Sequence, residues 1–406
     1  MMFLQFFIWG VWYVPMWTFL GTLEIEASLR GTAYAATGVA AMISPFIVGM
    51  IADRYFATQK VYGLLHLLGG VALLLAGQAQ DWASFYPYLL FHLICYMPTL
   101  ALSNSLCFQN MEDPQKEFPP IRTLGTIGWI ASGILVGSSF FDEGSYQLIW
   151  PVFLGGENPP AEWSSIAVTS LTFQIGAMVS FALGLYSFTL PNTPPKLKGQ
   201  KVSMGDVLGL RALALMKDRS FAIFIGCSLL VCIPLSFYFQ SANGFLKEMG
   251  VVNSEGVLTL GQFSEIFFLL LVPWFFRRLG VKRMLLIGMG CWVLRYVLFA
   301  QADAQTHALL YLGVLLHGIC YDFFFVTGQL YVDKVAPDDI RSSAQGFIAF
   351  VTLGVGMFIG GILNGWWNGI QSAEEVMNWE MVWYFPAALA GGVMLVFALS
   401  FRAKES

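Results

Sequence analysis

Glu265 is an acidic residue in a long apolar stretch, 257–276, where a charged side chain is costly. Gln262 precedes it by three positions, so both side chains share a face if the stretch is helical. A carboxylate in such surroundings must be paired, face water or carry a proton. We expect Gln262 and Glu265 to bind a solute and Glu265 also to take up protons. The alternative is a structural pairing of Glu265 with Arg295.

A second acid, Asp322, lies in the apolar stretch 307–332 and is the deepest acid in the second half of the chain. We expect it to be a proton-binding group, and a hydrogen bond between helices is the structural alternative. His317 and Tyr321 are four positions apart and share a helical face. We expect these two side chains to contact a solute.

The first half of the chain contributes a cation, a hydroxyl and an aromatic ring. Arg122, Thr126 and Trp129 follow at intervals of four and three positions, so all three lie on one helical face. This stripe suits a polar, ring-containing ligand. The alternative for Arg122 is an interfacial side chain that extends to the lipid headgroups.

Other polar residues within apolar stretches have less definite roles. Gln240 and Asn243, three positions apart, either bind a polar ligand or tie helices together. We expect Arg295 to pair with an acid or to reach outward rather than to contact a solute. Gln5 and Trp9 are candidates to line a cavity. We expect His66, His92 and Asn104 to be polar packing groups.

The residue types exclude several functional classes. We find no Walker loop, no paired nucleophile and base, and no metal cluster in the apolar stretches, which argues against an enzyme. The six cysteines all lie in apolar stretches without ligand-type spacing, so we expect free buried thiols. No basic tract suggests nucleic acid. We therefore expect no catalytic residue, no metal and no cofactor, with protons as the coupling ion.

The composition indicates that helices in a lipid bilayer position these side chains. The chain has 406 residues, of which 57% are hydrophobic and 11% charged, whereas soluble domains have about 25% charged residues. About 20 apolar residues cross the hydrocarbon core as a helix. Twelve such stretches occur, with Pro15 interrupting the first and Pro98 the fourth: 2–20, 33–52, 60–79, 83–107, 120–141, 164–190, 220–246, 257–276, 282–300, 307–332, 342–366 and 381–401.

The distribution of Lys and Arg predicts the orientation. With the N-terminus inside, nearly all loop Lys and Arg residues are cytoplasmic, and only Arg30 and Lys247 fall outside. Positive charge marks the cytoplasmic side of a membrane protein. We expect a multi-pass protein of the plasma membrane (the bacterial inner membrane) with both termini cytoplasmic.

The longest polar connection divides the chain into two groups of six spans. We expect an N-terminal six-helix half at 1–190, a cytoplasmic linker at 191–219 and a C-terminal six-helix half at 220–406. The turn Gly49–Arg54 resembles the G-x-x-x-D-R loop of the major facilitator superfamily. The predicted fold is therefore an all-α membrane protein of that superfamily with twelve transmembrane helices, which places a solute near the midplane.

Longer motifs resemble the nucleoside:proton symporter family of the major facilitator superfamily, and in particular its nucleoside transporter branch. The resemblance runs nearly end to end. It is carried by Phe118-Pro119-Pro120-Ile121-Arg122, Gly125-Thr126-Ile127-Gly128-Trp129, Tyr96-Met97-Pro98-Thr99, Gln262-Phe263-Ser264-Glu265, Tyr321-Asp322-Phe323-Phe324 and Ser343-Ala344-Gln345-Gly346.

This resemblance implies import of nucleosides driven by inward proton flow, by a monomer. It also implies that one site is lined by the side chains of Arg122, Thr126, Trp129, Gln262, Glu265, Tyr321 and Asp322. His317 falls where relatives have Tyr, and Ser236 and Phe239 fall where nucleoside permeases have Gln and Asn. These two differences, both in the stretch 220–246, leave the identity of the solute open. The side-chain amide of Gln240 is a candidate to replace the missing Gln or Asn.

Two other readings remain at this point. The first is another transporter on the same fold, for a small polar solute such as a sugar, or a drug exporter. The second is an intramembrane enzyme or a sensor, and a sensor would bind its ligand without moving it.

Overall fold

The computed structural model describes residues 1–142, 144–160, 162–195, 210–337, 340–373 and 376–402, and most of them are helical. The α-helices are α1 (Met2–Tyr13), α2 (Met16–Thr22), α3 (Ala27–Arg54), α4 (Thr58–Gln78), α5 (Trp82–Gln109), α6 (Pro114–Ser138), α7 (Leu171–Ser187), α8 (Arg219–Glu248), α9 (Ser254–Ala300), α10 (His307–Leu315), α11 (His317–Tyr321), α12 (Thr327–Val335), α13 (Arg341–Ala349), α14 (Met357–Gln371) and α15 (Trp379–Ser400). Two π-helical segments, Asp322–Val326 and Phe350–Gly356, join α11 to α12 and α13 to α14.

Many of these helices are long enough to span a membrane. Within the described part of the chain, nine helices are long and apolar enough to cross a bilayer. The 47-residue helix α9 contains two of the predicted spans, 257–276 and 282–300. Gly280 separates them, because its φ of 69° and ψ of 172° interrupt the helix and because this backbone conformation suits glycine. The chain is thus a multi-pass membrane protein.

Proline interrupts the first predicted span, and glycine lets helices approach one another. Pro15 separates α1 from α2, and Pro98 lies inside α5. Small residues let helices approach closely. A Cβ atom at Gly356 would lie 2.6 Å from the Cβ of Cys232, and one at Gly360 would lie 2.6 Å from the Cβ of Ser236.

Short strands occur where only helices and loops were predicted. Three strands, β1 (Ser139–Asp142), β2 (Ser145–Leu148) and β3 (Ser164–Ser165), form an antiparallel sheet in the order β2-β1-β3. The predicted span 120–141 was too long, since the helix ends at Ser138. The apolar Phe140 and Phe141 extended the run but belong to β1. A second pair, β4 (Ser372–Ala373) and β5 (Val376–Met377), is also antiparallel.

Several short segments and ends complete the description. The 3₁₀ helices are Val152–Leu154, Ile166–Val168 and Leu210–Lys217. The predicted span 164–190 is α-helical only over Leu171–Ser187. Residues 196–209 of the predicted linker and the side chains of Asp53 and Arg54 lie outside the described residues.

The chain divides into two compact units. The first contains Met1–Lys201 and Val251–Thr259, and the second contains Val202–Gly250 and Leu260–Ser406. In the first unit, α1 packs against α6, and a side chain at Gly128 would overlap the carbonyl of Phe3. In the second unit, a side chain at Gly318 would overlap the backbone of Ser264. These close approaches position the polar residues in each unit.

Candidate functional site

Arg122 lies on α6 in the first unit and contacts an aromatic ring of α1. Its guanidinium carbon is 4.3 Å from the centre of the Phe6 ring, within cation–π range. A Cβ atom at Gly125 would lie 2.6 Å from Phe6 and 2.9 Å from the guanidinium. Glycine at that position therefore leaves the space that this pair occupies. Thr126, on the same face, is 8% exposed.

Trp129 belongs to an aromatic cluster with Trp9, Tyr13 and Tyr96. The ring of Trp9 lies 5.6 Å from Trp129 and 5.8 Å from Tyr96, and Tyr13 lies 6.5 Å from Trp129, all edge to face. The indole N–H of Trp9 is buried without a hydrogen-bond partner among the described residues. The cluster therefore combines aromatic rings with one buried donor that no described residue uses, and these are residue types that line pockets for ring-containing ligands.

Gln5 does not have free polar atoms to offer a solute. Its amide nitrogen donates to Thr99 Oγ1 at 2.7 Å, and its amide oxygen lies 2.5 Å from the Tyr62 hydroxyl and 2.9 Å from His66 Nε2. The side chain is completely buried. Gln5 thus ties helices together. His66 and His92 are both buried and contact neighbouring helices: His66 Nδ1 lies 3.2 Å from Ser180 Oγ, and His92 Nδ1 lies 2.8 Å from the Gly69 carbonyl.

Glu265, His317 and Arg295 form a chain of contacts in the second unit. His317 Nε2 lies 3.9 Å from Glu265 Oε2, and His317 Nδ1 lies 3.1 Å from Arg295 Nη1. Glu265 is 17% exposed and His317 only 2%. Gly261 makes the approach possible, because a Cβ atom there would lie 3.0 Å from the Cβ of His317.

Arg295 neither reaches outward nor forms an ion pair with an acid among the described residues, so that expectation was wrong. The side chain is fully buried. Its guanidinium carbon lies 3.4 Å from the centre of the Tyr238 ring and 5.4 Å from that of Trp292. Nε and Nη2 have no hydrogen-bond partner within the described part of the chain. Aromatic faces and His317 therefore stabilise this buried cation.

Asp322 begins the π-helical segment that follows α11. Its side chain is 1% exposed, and neither carboxyl oxygen has a hydrogen-bond partner among the residues described. An unpaired carboxylate is costly in such a place, so the group must bind a ligand, meet water or carry a proton. Helix interruptions of this type are frequent at functional sites.

Tyr321 extends the same group of aromatic residues. Its ring lies 5.6 Å from the ring of His317 and 5.0 Å from that of Phe325. His317 also stacks on Tyr238, with ring centres 5.1 Å apart and planes at 21°. Histidine and tyrosine thus share the face that their spacing predicted.

Gln240 lies on α8 and uses half of its amide locally. Its nitrogen donates to Ser236 Oγ at 2.5 Å, while its oxygen is buried without a partner among the described residues. Gln262, on α9, is 7% exposed. The pairing of Gln240 with Ser236, four positions earlier on the same helical face, was not among the expectations from the sequence.

The structure therefore brings the predicted residues into two groups. Trp129 lies in the aromatic cluster of the first unit, and Arg122 precedes it by about two turns on α6. Glu265, His317 and Tyr321 form a contact chain in the second unit. Sequence reasoning missed the contacts of Arg295 and Tyr238. The position of Arg295 inside an apolar stretch could have pointed to it, because an ionisable side chain at membrane depth usually has a functional role.

Comparisons with known proteins agree along the whole chain. The model of the family "Nucleoside H+ symporter" matches residues 1–406. The chain is 41% identical over 415 residues to "Putative nucleoside transporter YegT" of Escherichia coli (strain K12), covering 100% of this chain and 93% of that protein. It is 31% identical over 419 residues to "Xanthosine permease" of the same strain, covering 99% and 94% of the two proteins.

A solved structure shows the same fold. The crystal structure of nucleoside transporter NupG superposes with a TM-score of 0.84 at 29% identity, and the match covers 99% of this chain and 98% of that one. The fold is that of the major facilitator superfamily, as predicted. The matched proteins are transporters and not enzymes. With a family model matched from end to end, this chain belongs to the nucleoside H+ symporter family.

Proposed function

We propose that this protein imports nucleosides together with protons by alternating access. The observation that carries the proposal is the buried carboxyl of Asp322, which has no hydrogen-bond partner among the described residues and adjoins the Tyr321–His317–Glu265 contact chain. A group that must bind a proton or a ligand, next to groups able to bind a polar solute, is what a symporter requires. Family membership supplies the two transported species.

We assign the roles of individual residues as part of this proposal. Asp322 and Glu265 bind the transported proton, and a nucleoside binds once the carboxyl group is neutral. The base stacks on Trp129 or Tyr321, because both offer partly accessible aromatic faces. Ribose hydroxyls meet Gln262 and Glu265. The full set of substrate-binding residues is Arg122, Thr126, Trp129, Gln240, Gln262, Glu265, His317 and Tyr321.

The Lys and Arg distribution supports the cellular setting that we propose. We place the protein in the bacterial inner membrane with both termini in the cytoplasm, organised as six spans (1–190), a linker (191–219) and six spans (220–406). It works as a monomer and needs no cofactor besides the coupling proton. Release of the solute inside frees the proton to the more alkaline cytoplasm.

The residues of α8 bear on which nucleoside is transported. Ser236 and Phe239 depart from the Gln and Asn that the resemblance to nucleoside permeases implies, and Ser236 accepts the hydrogen bond of Gln240. This arrangement favours a nucleoside whose base needs fewer amide contacts at this position. A purine nucleoside of the xanthosine type is the leading choice, since a relative is named a xanthosine permease.

Transport in proteoliposomes tests the proposal directly. Uptake of radiolabelled uridine, adenosine and xanthosine is measured with and without an inward proton gradient. We expect gradient-dependent accumulation of at least one of them. Absence of uptake of all three by folded, inserted protein would contradict nucleoside import. A sugar or a cationic drug, tested in the same vesicles, then identifies the competing class.

A further inference from the structure

The contact between Arg295 and His317 has only one possible direction. A guanidinium group has N–H donors and no acceptor, and it stays protonated in proteins. Arg295 Nη1 therefore donates the 3.1 Å hydrogen bond, and His317 Nδ1 accepts it with its lone pair. A neutral imidazole carries one N–H, so the proton of His317 resides on Nε2.

The surrounding residues hold this arrangement in place. The imidazole stacks on Tyr238, with ring centres 5.1 Å apart, and the Arg295 guanidinium lies 3.4 Å from the centre of the same ring. Gly261 confines the Cβ of His317 from the opposite helix. A proton on Nδ1 would point an N–H at a permanent cation. His317 therefore cannot gain a second proton without losing its contact with Arg295.

The donor side of the ring faces the predicted solute-binding groups. Nε2 lies 3.9 Å from Glu265 Oε2, which is longer than a hydrogen bond. The charged and titratable groups in contact with the imidazole are Arg295 and Glu265 on α9, Tyr238 on α8 and Tyr321 on α11. Of these, Arg295 alone lies within hydrogen-bond distance of a ring nitrogen.

We propose that Arg295 is a positioning residue that keeps His317 as a fixed hydrogen-bond donor at Nε2. His317 then carries no transported proton, and it selects solutes that present an acceptor atom to it, such as a base carbonyl or a ribose oxygen. The selection of solutes rests on the proposed nucleoside import. The position of the proton on the His317 ring does not depend on transport and is measured separately.

Nitrogen NMR of the histidine side chains tests the first step. The chain has only 4 histidines, so the signals of ¹⁵N-histidine-labelled protein are few, and His317→Gln assigns those of His317 by their loss. We expect a protonated Nε2 and an unprotonated Nδ1 in the native protein, without any solute. In Arg295→Met we expect a mixture of the two neutral forms.

A His317 that is doubly protonated, or protonated at Nδ1, in the native protein would overturn the proposal. So would an Arg295→Met spectrum identical to the native one. The native measurement decides the question even if Arg295→Met does not fold.

Transport kinetics test the selection step. His317→Leu removes the donor at similar bulk, and we expect KM for the transported nucleoside to rise about tenfold with little change in maximal rate, as for one lost hydrogen bond. His317→Gln retains an N–H near the Nε2 position, so we expect a rise of only about threefold. Arg295→Met should raise KM, and the double variant Arg295→Met/His317→Leu should be no worse than His317→Leu alone.

Failure of this inference can be distinguished from failure of the proposed nucleoside import. An unchanged KM in His317→Leu, or additive effects in the double variant, would overturn the inference while leaving nucleoside import intact. If the native protein transports no nucleoside, the proposed function fails, and the NMR result alone decides the assignment of the Arg295–His317 pair.

Discussion

Buried polar side chains that have unused hydrogen-bonding atoms are distinguishable here from those that are fully paired. Gln5 has both ends of its amide engaged, whereas Asp322 has neither carboxyl oxygen paired within the described residues. Both residues occur in apolar stretches, so their positions in the sequence do not distinguish their roles. Their hydrogen-bond partners distinguish them, because a fully bonded amide stabilises the fold and an unbonded carboxyl requires a ligand, water or a proton.

Replacement of Asp322 by Asn tests its role as a proton-binding group. The amide has nearly the same shape but does not take up a transported proton. We expect Asp322→Asn to abolish gradient-driven accumulation while nucleoside binding, measured by calorimetry, is reduced no more than about tenfold. Asp303→Asn is the matched control, since Asp303 is exposed and bonds only residues of its own turn. Concentrative uptake by Asp322→Asn at the native level would contradict the assignment.

Replacement of Trp129 tests whether its ring stacks on the solute. Stacking of a base on an aromatic side chain is worth roughly 1–3 kcal/mol. We expect Trp129→Ala to weaken nucleoside affinity by at least about tenfold and Trp129→Phe to retain most of it. Equal affinities of the two variants, with both proteins folded, would show that the ring serves only the aromatic cluster with Trp9.

At the residue scale, sequence reasoning identified side-chain types and shared faces but not partners. It placed His317 and Tyr321 on one face, and their rings lie 5.6 Å apart. It did not foresee that Arg295 contacts His317, because the two residues are 22 positions apart on α9 and α11, with α10 between them in the chain. Nor did it foresee that the Gln240 amide donates to Ser236, since other rotamers of Gln240 leave this hydrogen bond unmade.

Helices in this chain are held together by backbone contact at particular glycines. Gly128 on α6 leaves no room for a side chain, since a Cβ atom would overlap the carbonyl of Phe3 on α1. Overpacking of this type costs about 1–3 kcal/mol. The contact matters for the site as well, because Arg122 and Trp129 lie on the same helix.

Alanine at Gly128 tests this contact. We expect Gly128→Ala to lower the midpoint of thermal unfolding by several degrees, since α1 and α6 must move apart. Gly226→Ala, on α8, is the control, because a Cβ atom there meets no atom within 4 Å. We expect it to leave the midpoint unchanged or to raise it slightly. Equal midpoints in detergent for the two variants would refute the importance of the contact.

Helix ends were predictable where a proline, a glycine or a polar residue interrupts the apolar run. They were not predictable where the apolar run continues into another element. Pro15 and Gly280 mark real interruptions, and backbone chemistry gives the reason. The end of α6 was missed because Phe140 and Phe141 continue the apolar run into a strand. Apolar content measures the preference for lipid or core, and it does not by itself separate helix from strand.

The orientation of the whole molecule in the membrane is a testable part of the proposal. Lys and Arg concentrate in loops assigned to the cytoplasm, and charge of this sign sets topology. We expect alkaline phosphatase, active only outside the cytoplasm, to be inactive when fused after Ser406 and active when inserted after Glu157. A green fluorescent protein fusion at Ser406 is expected to be bright. The reverse pattern would invert the assigned topology and with it the direction of import.

At the scale of the whole chain, the fold was predictable because lipid imposes strict length and charge requirements on helices. Family resemblance then supplied the solute class, which the residue types alone left at a polar, ring-containing molecule. Tertiary contacts that the sequence does not reveal determine the rest, including the three-stranded sheet that begins at Ser139.

The π-helical segment Asp322–Val326 affects how this chain should be compared with others. A turn closed by an i to i+5 hydrogen bond contains one residue more than an α-helical turn. That surplus residue rotates everything after it by about 100° relative to a regular helix. A relative without it would show a one-residue gap, and an ungapped alignment would match Gln329 and Asp333 to residues of a different face. Deleting one phenylalanine from Phe323-Phe324-Phe325 would turn the end of the helix and leave His317 and Tyr321 in place.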